Sequence, residues 1–135
     1  METILITGAG GYVGSNAAAY FVRQGFHVLG TARARVAERL KESEAEILSV
    51  DLDDAAATEA LFARKIDYVV HIAARVSEVG KDAWFRSANY EVVQRLAALS
   101  LRRGVQRFVY LSTADVYGLH DFHGETEDGL AFALR

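Results

Sequence analysis

The residues in this chain best suited to chemistry begin with glycines: Thr7-Gly8-Ala9-Gly10-Gly11-Tyr12-Val13-Gly14 sits between the apolar run Ile4-Leu5-Ile6 and an alanine-rich stretch of helical spacing. Residues without a side chain let the backbone turn tightly after a strand and approach a pyrophosphate. The helix behind then offers that anion unpaired N–H groups and its positive dipole end. The loop reads as a phosphate cradle for a dinucleotide, although a tight turn in an ordinary α/β protein also carries glycines. Two registers are open, the familiar Gly-x-Gly-x-x-Gly and a glycine at every third position, Gly8, Gly11 and Gly14. Gly14 would let the helix lie close to the strand.

Further candidates follow at the ends of later apolar runs. About twenty residues beyond the loop, an NAD site places Asp or Glu on the adenosine ribose; Thr31-Ala32-Arg33-Ala34-Arg35 has no acid there. Guanidinium groups pair with a 2′-phosphate through forked, charge-assisted hydrogen bonds, so NADP is expected in preference to NAD. The bland alternative for Arg33 and Arg35 is the solvated start of a helix. Asp51 and Leu52 suit an adenine edge, or Asp51, Asp53 and Asp54 serve as helix caps. His71-Ile72-Ala73-Ala74 offers small residues against which a dinucleotide can lie, with His71 itself read as a buried, satisfied histidine. Asn89, inside a long helical pattern, needs a polar partner if it faces the sheet with Val92, Val93 and Leu96. Ser112 and Thr113 place two hydroxyls at the tip of the last apolar run.

Strands are expected at Thr3–Thr7, Phe26–Thr31, Glu46–Val50, Tyr68–Ile72 and Arg107–Leu111. Helices are expected at Tyr12–Gln24, Val36–Ser43, Asp54–Ala63 and Ala83–Arg103, the last closed by Gly104. Strands alternating with helices imply right-handed crossovers and a parallel sheet covered on both faces, in the order 3-2-1-4-5. Ligands bind such a sheet beyond the carboxyl ends of its strands where the order reverses, and every candidate above lies at such an end. From Tyr117 to Gly129 the periodicity stops and a loop is expected, with Leu130–Leu134 as the start of another helix.

Composition narrows the classes. With 135 residues, 51% of them hydrophobic, the chain suits one domain with a core that needs no crosslink. There is no cysteine, hence no thiol nucleophile and no cysteine-based zinc site, which fits a reducing cytoplasm. A strand so close to the first residue leaves no room for a signal segment, and no apolar run approaches the roughly 18 residues of a membrane span. A net charge of −3 without a concentrated basic face argues against nucleic acid as a partner. Proline is absent, so none marks a domain boundary.

Taken together, Thr7-Gly-x-x-Gly-x-x-Gly14, Asp51-Leu52, His71-x-Ala-Ala74, Asn89 and Ser112-Thr113-x-x-Val-Tyr-Gly118 resemble the extended short-chain dehydrogenase/reductase superfamily, the NAD(P)-dependent epimerase/dehydratase group. The resemblance spans about residues 3 to 128 and implies the register Gly8, Gly11, Gly14 in a Rossmann-type, doubly wound α/β/α domain over 1–135. By that resemblance, backbone near Tyr12 and Val13 holds the pyrophosphate, Asp51 and Leu52 the adenine, and Ile72, Ala73 and Ala74 the cofactor's middle. Asn89 stabilises the sheet end near the nicotinamide, Ser112 supports the nicotinamide side, and Thr113 aligns with the catalytic Ser/Thr. The implied activity is epimerisation, dehydration or reduction of a hydroxyl or carbonyl substrate such as a nucleotide-sugar.

One departure matters. The family's Tyr-x-x-x-Lys pair, in which lysine and cofactor lower the tyrosine's pKa for proton transfer, is absent, and the last lysine is Lys81. The expectation is the N-terminal, cofactor-binding part of a longer enzyme. The alternatives are a naturally short NADP(H)-sensing module and, more remotely, a hydrolase using Ser112 or Thr113, which lacks a nucleophile elbow. His120-Asp121-x-His123 is read as a solvated loop rather than a metal site. An under-covered sheet edge and helix face predict self-association or partner binding, a homodimer among the options.

Overall fold

Short runs of Ile, Leu and Val make strands that are apolar on both faces, and the computed structural model gathers five of them into one parallel sheet. It describes residues 1–77, 79–117, 123, 124 and 126. The strands β1 (Thr3–Thr7), β2 (His27–Ala32), β3 (Glu46–Ser49), β4 (Tyr68–His71) and β5 (Arg107–Tyr110) stand in the order β3-β2-β1-β4-β5. That is the expected order, with the reversal between β1 and β4.

Because side chains alternate along a strand, β1 feeds two cores. Leu5 joins Leu29, Val69, Leu61, Phe62, Leu96 and Leu99 under α3 (Ala55–Leu61) and α5 (Val92–Arg102). Ile4 and Ile6 join Val28 and Ala18 under α1 (Tyr12–Arg23). In α5 the buried positions Val92, Leu96 and Leu99 recur with helical spacing, and each fully buried aliphatic side chain contributes roughly 2 kcal/mol.

Register sorts the α5 side of the sheet into rungs. Leu29, Leu5, Val69 and Phe108 lie side by side, and two residues on, at the carboxyl end, so do Thr31, Thr7, His71 and Tyr110. An apolar rung is thus followed by a polar one, just where the chain leaves the sheet.

Element ends moved where caps intervened. The helix expected at Val36–Ser43 is α2 (Ala34–Arg39): Arg33 stands extended at the cap, and its carbonyl accepts from the amides of Val36 at 2.8 Å and Ala37 at 3.0 Å. Ser43 Oγ accepts from the Ala45 amide at 3.0 Å, a local turn that competes with helix beyond Leu40. Asp54, not Asp51, caps α3, accepting from the amides of Ala56 and Ala57, which is worth about 1 kcal/mol. The long helix expected at Ala83–Arg103 comprises α4 (Asp82–Arg86), a π-helical turn (Ser87–Glu91) and α5. Its last turn closes with the amides of Gly104 and Val105 on the carbonyls of Leu101 and Ser100. Of the loop expected from Tyr117 to Gly129, Tyr117 closes a 3₁₀ turn, and apart from His123, Gly124 and Thr126 the rest, His120 and Asp121 included, lies outside the described residues, as does the helix start at Leu130–Leu134. No helix of the described residues is long and apolar enough to cross a membrane.

Candidate functional site

The glycine loop joins β1 to α1 at the point where the sheet order reverses, and most of its glycines answer to the protein itself. Gly8 adopts φ +71°, and a Cβ on it would stand 2.9 Å from the backbone nitrogen of Ala73. A Cβ on Gly14 would stand 2.1 Å from the Gly8 carbonyl oxygen, and one on Gly10 2.0 Å from Val36 Cγ1. Gly10 is therefore crowded too, a role the every-third-residue pattern does not contain. Gly11 differs: its added Cβ would meet only the Gly8 oxygen, at 3.4 Å. It caps α1 without a side-chain hydrogen bond, and the first turn of α1 holds no acid. Tyr12, 87% exposed, and the half-exposed Val13 follow it. The opening beside Gly11 fits a phosphate group: backbone N–H donors at a helix start, with no side chain in the way.

Thr7 ties this loop to β4. Its hydroxyl oxygen accepts from the amides of Ile72 at 3.0 Å and Ala73 at 3.1 Å, and lies 2.7 Å from His71 Nδ1. With both lone pairs engaged, the hydroxyl donates to Nδ1, so His71 is neutral and carries its proton on Nε2. Fully buried and stacked on Tyr110, His71 has its pKa pushed down to about 4 by burial. Its Nε2 has no hydrogen-bond partner among the described residues. The reading of His71 as buried held, and as satisfied it held for Nδ1 alone; the link to Thr7 exists only through the pairing of β1 with β4.

Asp51 and Leu52 follow β3. Asp51 is exposed and accepts from the Asp53 amide at 3.0 Å, while the Leu52 carbonyl accepts from Thr58 Oγ1 at 3.1 Å and Arg95 Nη1 at 2.8 Å. Arg33 stands exposed just past β2, at the same edge of the sheet as the glycine loop, whose Ala9 amide donates to the Thr31 carbonyl at 2.9 Å. Ala74 leads out of β4, and there Asn89 from the π-helical turn grips the loop: its Oδ1 accepts from the Arg75 amide at 2.7 Å and its Nδ2 donates to the Arg75 carbonyl at 3.0 Å. Asn89, half-buried, thus has the polar partner that a place in this helical stretch calls for. Ser112 and Thr113 lie exposed beyond β5, where the Leu111 amide still bonds the His71 carbonyl at 2.9 Å and a 3₁₀ turn, Ala114–Tyr117, follows. All of these stand at one end of the sheet. Sequence reading missed Ser87 and Arg95, which reach it from helices distant in the chain.

Comparison with known proteins accords with this layout. Residues 4–132 match the model of the NAD dependent epimerase/dehydratase family. A UDP-glucose 4-epimerase of Caenorhabditis elegans is 33% identical over 136 residues, covering 85% of this chain and 39% of that protein. The structure of an epimerase from Methanothermobacter thermautotrophicus superposes with a TM-score of 0.85 at 26% identity, over 98% of this chain and 42% of that one. A UDP-glucose-4-epimerase from Stenotrophomonas maltophila, solved with NAD and formylated UDP-arabinopyranose bound, gives 0.77 at 29% identity over 96% and 42%. The chain spans about two fifths of the length of each.

Proposed function

This chain belongs to the NAD dependent epimerase/dehydratase family, and on that premise we propose that residues 1–135 hold the nicotinamide dinucleotide of an epimerase, dehydratase or reductase acting on a hydroxyl or carbonyl substrate such as a nucleotide-sugar. The observation that carries the reading is Gly11, the one crest glycine whose missing side chain the protein's own packing leaves almost unexplained, at an uncapped helix start. In this reading the amides near Tyr12 and Val13 take the pyrophosphate, between Gly8 and Gly14. Asp51 and Leu52 meet the adenine, Ile72, Ala73 and Ala74 line the middle, and Asn89 and Ser112 support the nicotinamide end. The cofactor, when bound, supplies hydride transfer. Thr113 is the catalytic residue of this part, hydrogen-bonding the substrate oxygen at the tip of β5.

Arg33 supports a preference for NADP over NAD, since it is the first of two exposed cations, with Arg35, that follow β2 where an acid would serve a ribose hydroxyl. The NAD bound to the Stenotrophomonas relative weighs on the other side. Calorimetric titration of both cofactors decides: NADP(H) is expected to bind tighter, with Arg33→Ala removing about tenfold of that advantage and Gly11→Val abolishing binding of either. Tighter NAD(H) binding that ignores Arg33→Ala would sink the preference. Residues 1–135 contain no Tyr-x-x-x-Lys pair. Alone they are expected to bind cofactor with negligible turnover of nucleotide-sugars; turnover lost in Thr113→Ala would instead reveal a complete active site.

A further inference from the structure

The π-helical turn Ser87–Glu91 touches both flanks of the crevice. Ser87 Oγ donates to Asp53 Oδ1 at 2.6 Å, a charge-assisted bond to the segment that follows β3. Two residues on, Asn89 holds the Arg75 amide and carbonyl on the segment that follows β4. Side chains two apart on a helix point to different sides, so one turn reaches two loops that the chain separates by more than twenty residues. The turn is also stitched from outside: Arg86 Nε lies 3.4 Å from Glu91 Oε1, a pairing five residues apart, and the Arg86 guanidinium sits over the Tyr90 ring at 5.1 Å. An i,i+5 pair suits the π-helical period rather than the α-helical one. One and a half turns later Arg95 Nη1 reaches the Leu52 carbonyl and secures the β3 side a second time.

We propose that this turn is a brace coupling the two ends of the dinucleotide crevice, with Ser87 and Asn89 as its positioning residues. The segment carrying Asp51, Leu52 and Asp53 cannot shift without pulling Ser87, and Ser87 cannot shift without moving Asn89 on Arg75. Occupation of the adenine side therefore orders the nicotinamide side before substrate arrives. This rests on the reading of the crevice as a dinucleotide site, but the mechanical link does not.

Amide hydrogen exchange by NMR tests the link without ligand. Ser87→Ala is expected to speed exchange at the Arg75 amide about tenfold while Leu99, in the core of α5, keeps its rate; Ser87→Thr is expected to restore Arg75. Asp53→Ala, which removes the acceptor of the Ser87 hydroxyl, provides the same readout if Ser87→Ala fails to fold. An Arg75 rate untouched by every variant that folds overturns the brace. In a second arm, saturating AMP is expected to move the Arg75 amide signal in the wild-type chain and not in Ser87→Ala. AMP that binds and leaves Arg75 unmoved also overturns it. If neither AMP nor NAD(P) binds the wild-type chain, the dinucleotide reading fails, and the exchange rates alone decide the brace.

Discussion

The loop leaving β1 and the segment leaving β5 end at the same crest of the sheet, yet they are built in opposite ways. After β1, backbone packs on backbone: Gly14 against Gly8, Gly8 against Ala73, and Thr7 hydrogen-bonded across to β4. At the end of β5 and just past it, Val109, Tyr110 and Leu111 are 46%, 44% and 48% exposed, and no strand among the described residues pairs with the outer side of β5. The difference teaches that two loops at one end of a sheet can be held by different means, one by backbone packing and the other by little beyond its own strand. The glycine loop is over-determined by its own neighbours, whereas Ser112 and Thr113 follow a strand whose outer side no described strand covers.

The contrast breaks most directly at the glycines. Gly14→Ala forces a Cβ onto a backbone oxygen and is expected to cost about 3 kcal/mol or more in urea unfolding. Gly11→Ala is expected to cost under about 1 kcal/mol while weakening dinucleotide binding about tenfold or more. If Gly14→Ala unfolds at the wild-type midpoint, the packing account of this loop is wrong.

A comparable effect belongs to His71, which lies between the two regions. An unfolded histidine titrates near 6.5 and the buried one near 4. Between those values the unfolded chain holds a proton that the folded chain refuses, so stability falls as pH drops through this window. The loss approaches about 3 kcal/mol by pH 4. Unfolding midpoints measured from pH 7 to pH 4 should show that slope, and a His71→Gln variant should flatten it; equal slopes would mean the charge is tolerated in place.

The smallest effect is expected at Thr113. Replacing it by alanine should leave stability within about 0.5 kcal/mol and dinucleotide affinity within about twofold, because exposed residues past β5 carry little of the fold. A large loss of stability would place the β5 exit alongside the glycine loop.

Much of this was legible in the sequence, for identifiable reasons. The sheet order followed from apolar runs alternating with helical spacing, and the glycine loop from a pattern that is purely local. Helix ends slipped where a neighbouring side chain took a backbone amide, as Ser43 does beyond α2 and Asp54 before α3. The bonds from Thr7 to His71, Ser87 to Asp53 and Arg95 to Leu52 join residues 64, 34 and 43 positions apart. Nothing in a single chain read end to end marks such pairs, since only the folded register brings them together.

The polar rung of Thr31, Thr7, His71 and Tyr110 has a consequence for how freely this sequence can drift. Below it, the Leu29, Leu5, Val69 and Phe108 rung tolerates aliphatic exchange of similar volume, because dispersion contacts carry no direction. At the polar rung, Thr7 cannot exchange with an isosteric valine without stranding two amides and a histidine nitrogen. In a library of random variants, the border between permissive and forbidden positions should therefore run straight across neighbouring strands, one rung wide, rather than along any single one.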